Sequence, residues 1–344
     1  MTTTVRTPAE TVGTLGEHAL IARIRERLAP PPAWLLVGPV DDAAIVARER
    51  NAYDVITTDA CVEGIHFDRG FVPPKAIGHR AVAANLSDLA AMGAQPRLIL
   101  LSLILPPALS LAEFDDVIEG VLEACGRHRV TVAGGNITRS PGPLIVDITA
   151  LGTVRPRRQL LRTGARPGDL VFVTGSLGGA RAGLQMCEFG AESVGTDSAS
   201  PKGRYLWPEP RIRTGLQLGR QQAATACMDL SDGLADGVRQ LAQASGVGME
   251  IDADALPIDA NTRQWFEGRG KDAILEAALG GDDYELLFTA APRRQGRLRS
   301  VQRTAKTVTF TRIGVVTGDK ATVLVRGSRR DPMPEGFQHF LGEP

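Results

Sequence analysis

Residues 98–105 read LILLSLIL, residues 111–128 read LAEFDDVIEGVLEACGRH and residues 130–133 read VTVA. The first is a continuous apolar run of strand length, which is typical of a strand buried on both faces. The second shows the amphipathic spacing of a helix, and the third is short and rich in β-branched residues. The stretch therefore predicts a strand, a helix and a second strand.

The same alternation continues on both sides of this stretch. Residues 54–59 (DVITTD) are rich in β-branched residues, and residues 76–92 form a long helical pattern of small residues. In the second half, residues 168–175 (GDLVFVTG) predict a strand that runs into a glycine-rich turn, and a helix begins at Gly178. Residues 189–206 are polar and rich in Gly and Ser, which predicts a connection. Strands alternating with helices in both halves predict an α/β or α+β fold.

The chain of 344 residues is long enough for two domains. The run Arg155-Pro156-Arg157-Arg158 interrupts the pattern of elements near the middle. We therefore predict a flexible tail over 1–15, an N-terminal domain over 16–156 and a C-terminal α/β domain over 157–344.

The overall charge is balanced, with 39 Lys and Arg residues against 39 Asp and Glu residues. This balance does not favour nucleic acid or a membrane surface as a partner. No apolar run reaches the roughly 18 residues that a membrane helix needs, and residues 1–13 lack the apolar segment of a secretion signal. The four cysteines, Cys61, Cys125, Cys187 and Cys227, show no CxxC spacing, so we expect reduced thiols in a cytoplasmic protein.

Aspartates recur beside Gly, Ser and Thr at the ends of apolar runs. The motifs are Asp41-Asp42, Thr57-Thr58-Asp59, Asn85-Leu86-Ser87-Asp88, Asp229-Leu230-Ser231-Asp232-Gly233 and Gly280-Gly281-Asp282-Asp283-Tyr284-Glu285. Such motifs suit Mg²⁺, a hard cation that prefers oxygen ligands. If the motifs converge in space, their negative charge predicts a site for metal-dependent phosphoryl transfer.

Each aspartate also has a structural interpretation, since Asp is favoured at helix N-caps and in turns. The turn Gly175-Ser176-Leu177-Gly178-Gly179 likewise either binds an anion through backbone N–H groups or only connects a strand to a helix. The sequence contains no GxxxxGK[ST], GxSxG or HExxH motif and no protein-kinase HRD and DFG set. P-loop, serine-hydrolase, zinc-peptidase and protein-kinase chemistry therefore have no support.

Taken together, these segments resemble the thiamine-monophosphate kinase family of the aminoimidazole-ribonucleotide-synthetase-like superfamily. The matching stretches are Asp41-Asp42-Ala43-Ala44, residues 57–67 (TTDACVEGIHF), residues 84–94 (ANLSDLAAMGA), residues 134–139 (GGNITR), residues 161–165 (LRTGA), residues 229–234 (DLSDGL) and residues 280–286 (GGDDYEL). They stand in the family's own order, and several motifs in order are far more specific than any one of them.

The resemblance implies the two-domain α/β (α+β) architecture of that superfamily. It implies that ATP phosphorylates thiamine monophosphate to thiamine diphosphate, with several Mg²⁺ ions as cofactors. It also implies a homodimer in which the N-terminal sheets pair across the interface.

By motif position, the resemblance also implies roles for individual residues. Those that hold Mg²⁺ are Asp42, Thr57, Thr58, Asp59, Asp88, Asp229 and Asp232, with Asp59, Asp88 and Asp229 as catalytic carboxylates. Those that contact ATP are Gly134, Gly135, Asn136, Arg162 and Ser231. Those that contact the thiamine phosphate are His66, Asp282 and Phe337.

Three positions depart from the family's pattern. Gly38-Pro39-Val40 stands where the family has Gly-Ile-Gly, so the loop before Asp42 must be built differently. Asn136 replaces an aspartate and carries no charge, which predicts a weaker metal site. Asp282 replaces a glutamate, and its shorter side chain changes its reach toward the substrate.

Other functions remain open from the sequence. One is a divergent superfamily member that binds ATP but acts on another small substrate or is non-catalytic. Another is a phosphatase that hydrolyses thiamine monophosphate without ATP. The kinase reaction that we expect is a direct in-line transfer without a general base or a phosphoenzyme, because the acceptor phosphate is already deprotonated near neutral pH.

Overall fold

The structure is a computed structural model that describes residues 10–39, 41–190, 199–305 and 308–336. The described residues form two compact units. Among the described residues, the first unit comprises 10–39, 41–48, 58–85 and 97–151, and the second unit comprises 49–57, 86–96, 152–190, 199–305 and 308–336. The predicted domain boundary after Pro156 stays a prediction.

In chain order the helices are α1 Val12–Leu15, α2 Glu17–Arg25, α3 Pro74–Ala91, α4 Leu111–His128, α5 Gly179–Glu188, α6 Pro201–Leu206, α7 Ile212–Arg220, α8 Leu234–Ser245, α9 Ala260–Glu267, α10 Ala273–Leu279 and α11 Gln295–Ala305. Helices α3, α4 and α5 begin and end close to the positions that the sequence pattern indicates. Helix α4 illustrates how side-chain caps define where a helix begins. The Oγ of Ser110 accepts the N–H of Glu113 at 3.2 Å while the Glu113 carboxylate accepts the N–H of Ser110 at 3.2 Å, which is a capping box.

The strands form three sheets among the described residues. In chain order they are β1 Leu35–Val37, β2 Ile45–Val46, β3 Tyr53–Val62, β4 Gln95–Leu105, β5 Thr131–Arg139, β6 Ile145–Val154, β7 Leu170–Thr174, β8 Ala226–Asp229, β9 Gly248–Asp252, β10 Leu286–Ala290, β11 Phe310–Thr317, β12 Thr322–Arg326 and β13 Arg329–Pro332. Strands β1 and β2 pair with each other, and a four-stranded sheet has the order β3-β6-β4-β5 with β4 and β5 parallel. A seven-stranded sheet has the order β13-β12-β9-β11-β7-β10-β8, and its pairs are antiparallel except for β9 with β12. The predicted α/β (α+β) architecture is confirmed.

The first unit packs α4 against the start of α3 with almost no space between the two backbones. A Cβ atom on Gly78 would lie 2.0 Å from the carbonyl oxygen of Val117, and one on Gly120 would lie 1.9 Å from that of Lys75. These two glycines therefore let the helices approach closely. On α4 the side chains of Phe114 and Val121 are buried, which explains the apolar stripe in its sequence.

The core of the second unit lies between the seven-stranded sheet and α8. Val171 and Leu287 of the sheet and Leu234, Val238 and Leu241 of α8 belong to one buried cluster. Apolar residues at helical spacing thus meet the apolar face of β7 and β10. This packing fixes the ends of β8 and β10, where aspartates of the sequence motifs lie.

Two sequence-based predictions need correction. Residues 201–206, which we assigned to a polar connection, form helix α6, because the Ser200 hydroxyl caps its first turn and Pro201 is favoured at a first helical position. Part of the predicted tail forms α1, and the N–H of Val12 donates to the carbonyl of Leu109 at 2.9 Å. Among the described residues, no helix combines the length and apolar character needed to cross a membrane.

Candidate active site

The second unit brings Ser87, Asp88 and Asp229 together. Ser87 and Asp88 lie near the C-terminal end of α3, in the helix rather than in the turn-like setting that the motif suggested. Asp229 ends the buried strand β8 and is only 5% exposed. A helix end and a strand end therefore present two carboxylates in one place.

Two hydroxyl groups hold these carboxylates. The Oγ of Ser87, which is fully buried, donates to Oδ2 of Asp229 at 2.7 Å. The Oγ1 of Thr57 donates a short hydrogen bond to Oδ2 of Asp88. Each hydroxyl fixes one carboxylate oxygen and leaves the other oxygen of that carboxylate available to a cation.

The electrostatics of this pair indicate a cation site. Burial first, and then the negative charge of Asp88, raise the pKa of Asp229 well above its usual range. The hydrogen bond from Ser87 and the positive charge of Arg162 act in the opposite direction. Two carboxylates that disfavour each other's charge in a buried place are stabilised by a bound cation.

The donor atoms at this place fit Mg²⁺. They are carboxylate and hydroxyl oxygens, and Mg²⁺ in phosphoryl-transfer sites takes one or two carboxylates and completes its shell with water and substrate phosphates. Across the described ranges, no group of three or more His, Cys, Asp or Glu side chains is arranged to hold a metal ion. Asp88 and Asp229 thus offer carboxylate oxygens to an ion that would share its shell with substrate.

Residues 229–233 and 280–285 pack directly against each other, backbone to backbone. The N–H of Asp282 donates to the carbonyl of Ser231 at 2.7 Å, and the N–H of Tyr284 donates to that of Leu230 at 3.0 Å. These bonds bring Asp282 next to the segment 229–232, which contains Asp229, Ser231 and Asp232. Asp282 and Tyr284 adopt left-handed backbone conformations, with φ of 65° and 50°, and such conformations in non-glycine residues are concentrated at functional sites.

A buried ion cluster anchors this loop from behind. The carboxylate of Glu285 is fully buried and accepts two bonds from Arg211, Nε to Oε2 at 2.7 Å and Nη2 to Oε1 at 2.6 Å. It also accepts the hydroxyl of Thr174 at 2.6 Å. Arg204 completes the cluster, with its Nη2 3.4 Å from Oε1 of Glu285. The chain positions of Arg204 and Arg211 carry no sequence signal, so the cluster was missed by sequence reasoning.

The backbone N–H groups of the glycine turn before α5 bind the carboxylate of Asp283. Its carboxylate accepts the N–H of Gly178 at 2.6 Å and the N–H of Ala180 at 3.0 Å. Of the two interpretations of this turn, the structural one is therefore favoured, because those donors are occupied by the protein's own side chain. Asp283, unlike Asp282, acts as a helix cap.

Arg162 lies within electrostatic range of Asp229. Its Nη1 donates to Oε1 of Gln240 at 2.5 Å, and its backbone carbonyl accepts the hydroxyl of Ser245 at 3.1 Å. The side chain is exposed, so its remaining N–H donors face solvent. A guanidinium group in this position suits a phosphate ligand.

In the first unit, the predicted residues lie on separate elements. Thr58 and Asp59 are exposed on β3, and the Thr58 hydroxyl donates to the carbonyl of Ile148 at 3.1 Å. Asp42 is exposed in the connection between β1 and β2, where its N–H donates to the side chain of Asp41.

His66 is half-buried and held by its own loop. Its Nδ1 accepts the N–H of Val62 at 3.1 Å, and its backbone carbonyl accepts a bond from Arg80. A ring whose Nδ1 accepts a hydrogen bond carries its proton on Nε2 when neutral.

The segment Gly134-Gly135-Asn136 lies inside β5, which extends beyond the short strand predicted over 130–133. Gly135 is required by packing, because a Cβ atom there would lie 1.9 Å from the carbonyl oxygen of Leu101 on β4. Asn136 is exposed. Since β3 and β5 are opposite edges of the four-stranded sheet, the structure does not bring Asn136 to Asp59 within this sheet.

The remaining predicted site residue, Phe337, lies outside the described residues. Ser87 is a site residue that sequence reasoning passed over, although it stands inside the quoted motif beside Asp88. The hydroxyl group within the Leu-Ser-Asp motif was the sequence signal that could have indicated Ser87.

Comparison with known proteins gives the same family over most of the chain. Residues 40–154 match the family model described as AIR synthase related protein, N-terminal domain, and residues 166–326 match the C-terminal domain of the same description. A thiamine-monophosphate kinase of Rhodopirellula baltica is 34% identical over 333 residues, which is 94% of this chain and 97% of the relative.

Two solved structures extend the likeness to the fold. A thiamine-monophosphate kinase from Stenotrophomonas maltophilia has a TM-score of 0.80 and 37% identity, covering 90% of this chain and 96% of its own. The structure of AaThiL complexed with AMPPCP and TMP has a TM-score of 0.75 and 32% identity, covering 97% of this chain and 100% of its own. The chain belongs to the thiamine-monophosphate kinase family.

Proposed function

We propose that this protein is the kinase that transfers the γ-phosphoryl group of ATP to thiamine monophosphate and forms thiamine diphosphate. The observation that carries the proposal is the pairing of Asp88 with the buried Asp229, because a bound cation stabilises two carboxylates in a buried place and metal-dependent phosphoryl transfer uses such a cation. The relatives named thiamine-monophosphate kinase, and the AaThiL complex with AMPPCP and TMP, support the same two substrates.

The reaction joins two anions, and the main barrier to it is their repulsion. Bound Mg²⁺ would neutralise charge on the donor and acceptor phosphates and align them for in-line attack. The acceptor oxygen is already deprotonated near neutral pH, since the second phosphate pKa is about 6. Asp88 and Asp229 therefore act by holding the cation in position, and neither has to remove a proton from the acceptor.

We propose individual roles that follow the motif positions. Asp88, Asp229 and Thr57 hold Mg²⁺ in the second unit. The Thr57 hydroxyl also orients Asp88, and Ser87 orients Asp229. The further proposed metal ligands are Asp42, Thr58, Asp59 and Asp232. The proposed ATP contacts are Gly134, Gly135, Asn136, Arg162 and Ser231. The proposed contacts to thiamine monophosphate are His66, Asp282 and Phe337.

We further propose that the protein works as a homodimer in the cytoplasm. Strand β3 is a ten-residue edge of the four-stranded sheet, and its side chains Tyr53 and Ile56 are 54% and 66% exposed. Long edge strands with exposed apolar residues favour pairing with another chain. The four scattered cysteines, which form no disulfide, support a cytoplasmic location.

Steady-state conversion of thiamine monophosphate by purified protein tests the function. We expect ATP- and Mg²⁺-dependent thiamine diphosphate, and we expect Asp88→Asn to reduce turnover by about a hundredfold or more, as loss of a charge-stabilising group does. Asp254→Asn, which removes one exposed carboxylate elsewhere in the second unit, is the matched control and should retain activity.

Three outcomes would contradict the proposal. ATP binding without product indicates a non-catalytic or differently specific member of the superfamily. Hydrolysis of thiamine monophosphate without ATP indicates a phosphatase. Full activity of Asp88→Asn with an unchanged Mg²⁺ requirement removes its metal role.

A further inference from the structure

A pocket in the second unit, separate from the candidate active site, is lined by arginines. Its volume is about 760 Å³, and its wall is formed by residues of the segments 157–169, 219–225 and 291–294. Four of the lining residues are arginines: Arg157, Arg166, Arg293 and Arg294. None of the residues proposed above for Mg²⁺, ATP or thiamine monophosphate lines this pocket.

The protein offsets the positive charge of the pocket only in part. Asp169 is the acidic residue of its lining, and this carboxylate is 4% exposed. Its Oδ2 accepts the backbone N–H of Arg166 at 3.1 Å and the hydroxyl of Thr225 at 2.7 Å, so it is bonded to neutral donors. Within the part of the chain that the structure describes, no carboxylate forms an ion pair with the four guanidinium groups.

Other arginines of the same unit do find carboxylates. Arg326 pairs with Asp272 at 2.6 Å, Arg330 lies 2.5 Å from Glu250, and Arg211 is bonded to Glu285. The chain as a whole has equal numbers of basic and acidic residues. The excess of positive charge at the pocket is therefore a local feature, and it does not follow from a basic composition of the whole protein.

The guanidinium groups are also crowded. Arg294 is half-buried, and its Nη1 donates to the carbonyl of Ala224 at 2.7 Å. Burial first, and then the charges of Arg297 and Arg293, lower the pKa of Arg294, while the negative charge of Asp169 acts in the opposite direction. Arg297 is itself held by a bond from its Nη1 to the carbonyl of Gln222 at 3.1 Å. Carbonyl groups thus keep like charges close together, which costs free energy unless an anion is present.

We propose that this pocket binds a small phosphate-bearing molecule with at least two negative charges. Guanidinium groups present forked N–H donors that match phosphate oxygens, and arginine is the residue of choice for such ligands. The volume falls in the range of small-molecule sites, roughly 300 to 1,000 Å³. A concave pocket of this size favours a small molecule over a nucleic acid strand, which follows an extended groove.

Calorimetric titration of the full chain with inorganic pyrophosphate, in EDTA, tests the proposal. EDTA removes the Mg²⁺ that the acidic site would need to hold phosphate groups, so binding there does not contribute. We expect one binding event in the wild type. Arg166→Ala combined with Arg293→Ala should weaken it by roughly a hundredfold, about tenfold for each lost charged hydrogen-bond donor.

The matched control is Arg299→Ala combined with Arg303→Ala, which removes the same charge from α11 without touching this pocket. We expect pyrophosphate affinity unchanged in the control, and thermal unfolding unchanged in both double variants since Arg166 and Arg293 are exposed. Titration with AMP in a parallel arm distinguishes a phosphate ester from free polyphosphate as the ligand.

Absence of pyrophosphate binding in the wild type would overturn the proposal. So would equal weakening in the two double variants, because that result indicates general charge attraction. A short single-stranded RNA that binds more tightly than pyrophosphate and loses affinity in Arg166→Ala/Arg293→Ala would assign the surface to nucleic acid instead.

Discussion

At the scale of single residues, the candidate site depends on the hydrogen bond from Ser87 to Asp229. The hydroxyl and the carboxylate are both buried and 2.7 Å apart, so neither can use water instead. The bond fixes which oxygen of Asp229 faces Ser87 and which remains for a cation. Sequence reasoning could find both residues in their motifs, but it could not pair them, because 142 positions separate them in the chain.

We therefore predict that Ser87→Ala raises the Mg²⁺ concentration for half-maximal activity by about tenfold, the effect of one hydrogen bond to a charged group. Alanine fits the space of serine, so the fold should persist. The rate of thiamine diphosphate formation against Mg²⁺ concentration measures the shift. Ser300→Ala, which removes a serine that accepts a bond from Gln221, is the control and should leave the curve unchanged. An unshifted curve for Ser87→Ala would exclude this role.

Asp283 gives a prediction about pH. Burial raises its pKa to about 6, while the charge of Arg204 and the N–H groups of Ala180 and Gly178 act against that shift. In the unfolded chain the pKa of this aspartate is lower, about 3.9. The stabilisation that Asp283 contributes to the folded state is therefore fully present below a pH of about 3.9, and it is lost as the pH rises through about 6. The free energy of unfolding of the wild type minus that of Asp283→Asn should therefore fall across this window. Urea unfolding at several pH values measures it, and a constant difference would contradict the shift.

At the scale of elements, local signals set the helices better than the strands. The predicted bounds of α4 are confirmed, since its capping residues Ser110 and Glu113 are adjacent to it in sequence. Strand β5 is longer than predicted because Gly134 and Gly135, which look like a turn in sequence, are tolerated inside the strand by close pairing with β4. Glycine is ambiguous in sequence because a turn and a tight strand contact both favour it.

The two adjacent glycines of β5 offer a matched pair of variants. Gly135→Ala should lower the free energy of unfolding by about 1 to 3 kcal/mol, because its Cβ would collide with the backbone of β4 at Leu101. Gly134→Ala meets only the side chain of Leu100 at 3.4 Å, so its effect should be small. Urea unfolding compares them. Equal losses of stability would contradict the close contact between β4 and β5.

The buried ion cluster behind the 280–285 loop predicts a large loss of stability. Glu285→Gln keeps the side-chain shape but leaves Arg211 without its carboxylate, so we expect a loss of about 3 to 5 kcal/mol. Asp331→Asn, which breaks the exposed pair with Arg329, should cost less than about 1 kcal/mol. The urea midpoints of the two variants measure the difference. A midpoint for Glu285→Gln close to that of Asp331→Asn would show that the cluster is not stabilising.

At the scale of the whole molecule, the order of motifs along the chain was sufficient to identify the family and its reaction. It could not give the three-dimensional neighbours of each motif, because those depend on strand order: β8 ends beside β10 although the two strands are far apart in sequence. The arginine pocket was likewise invisible in sequence. Its residues come from three separated segments of a chain with no net charge.

The most direct test of the account is a single-turnover reaction with ATP labelled in its γ-phosphate, thiamine monophosphate and Mg²⁺, stopped by acid at short times. We predict that the label moves directly into thiamine diphosphate, with no labelled protein at any time. Label in free phosphate without thiamine diphosphate, or label trapped on the protein before product appears, would contradict direct transfer at the Asp88 and Asp229 site.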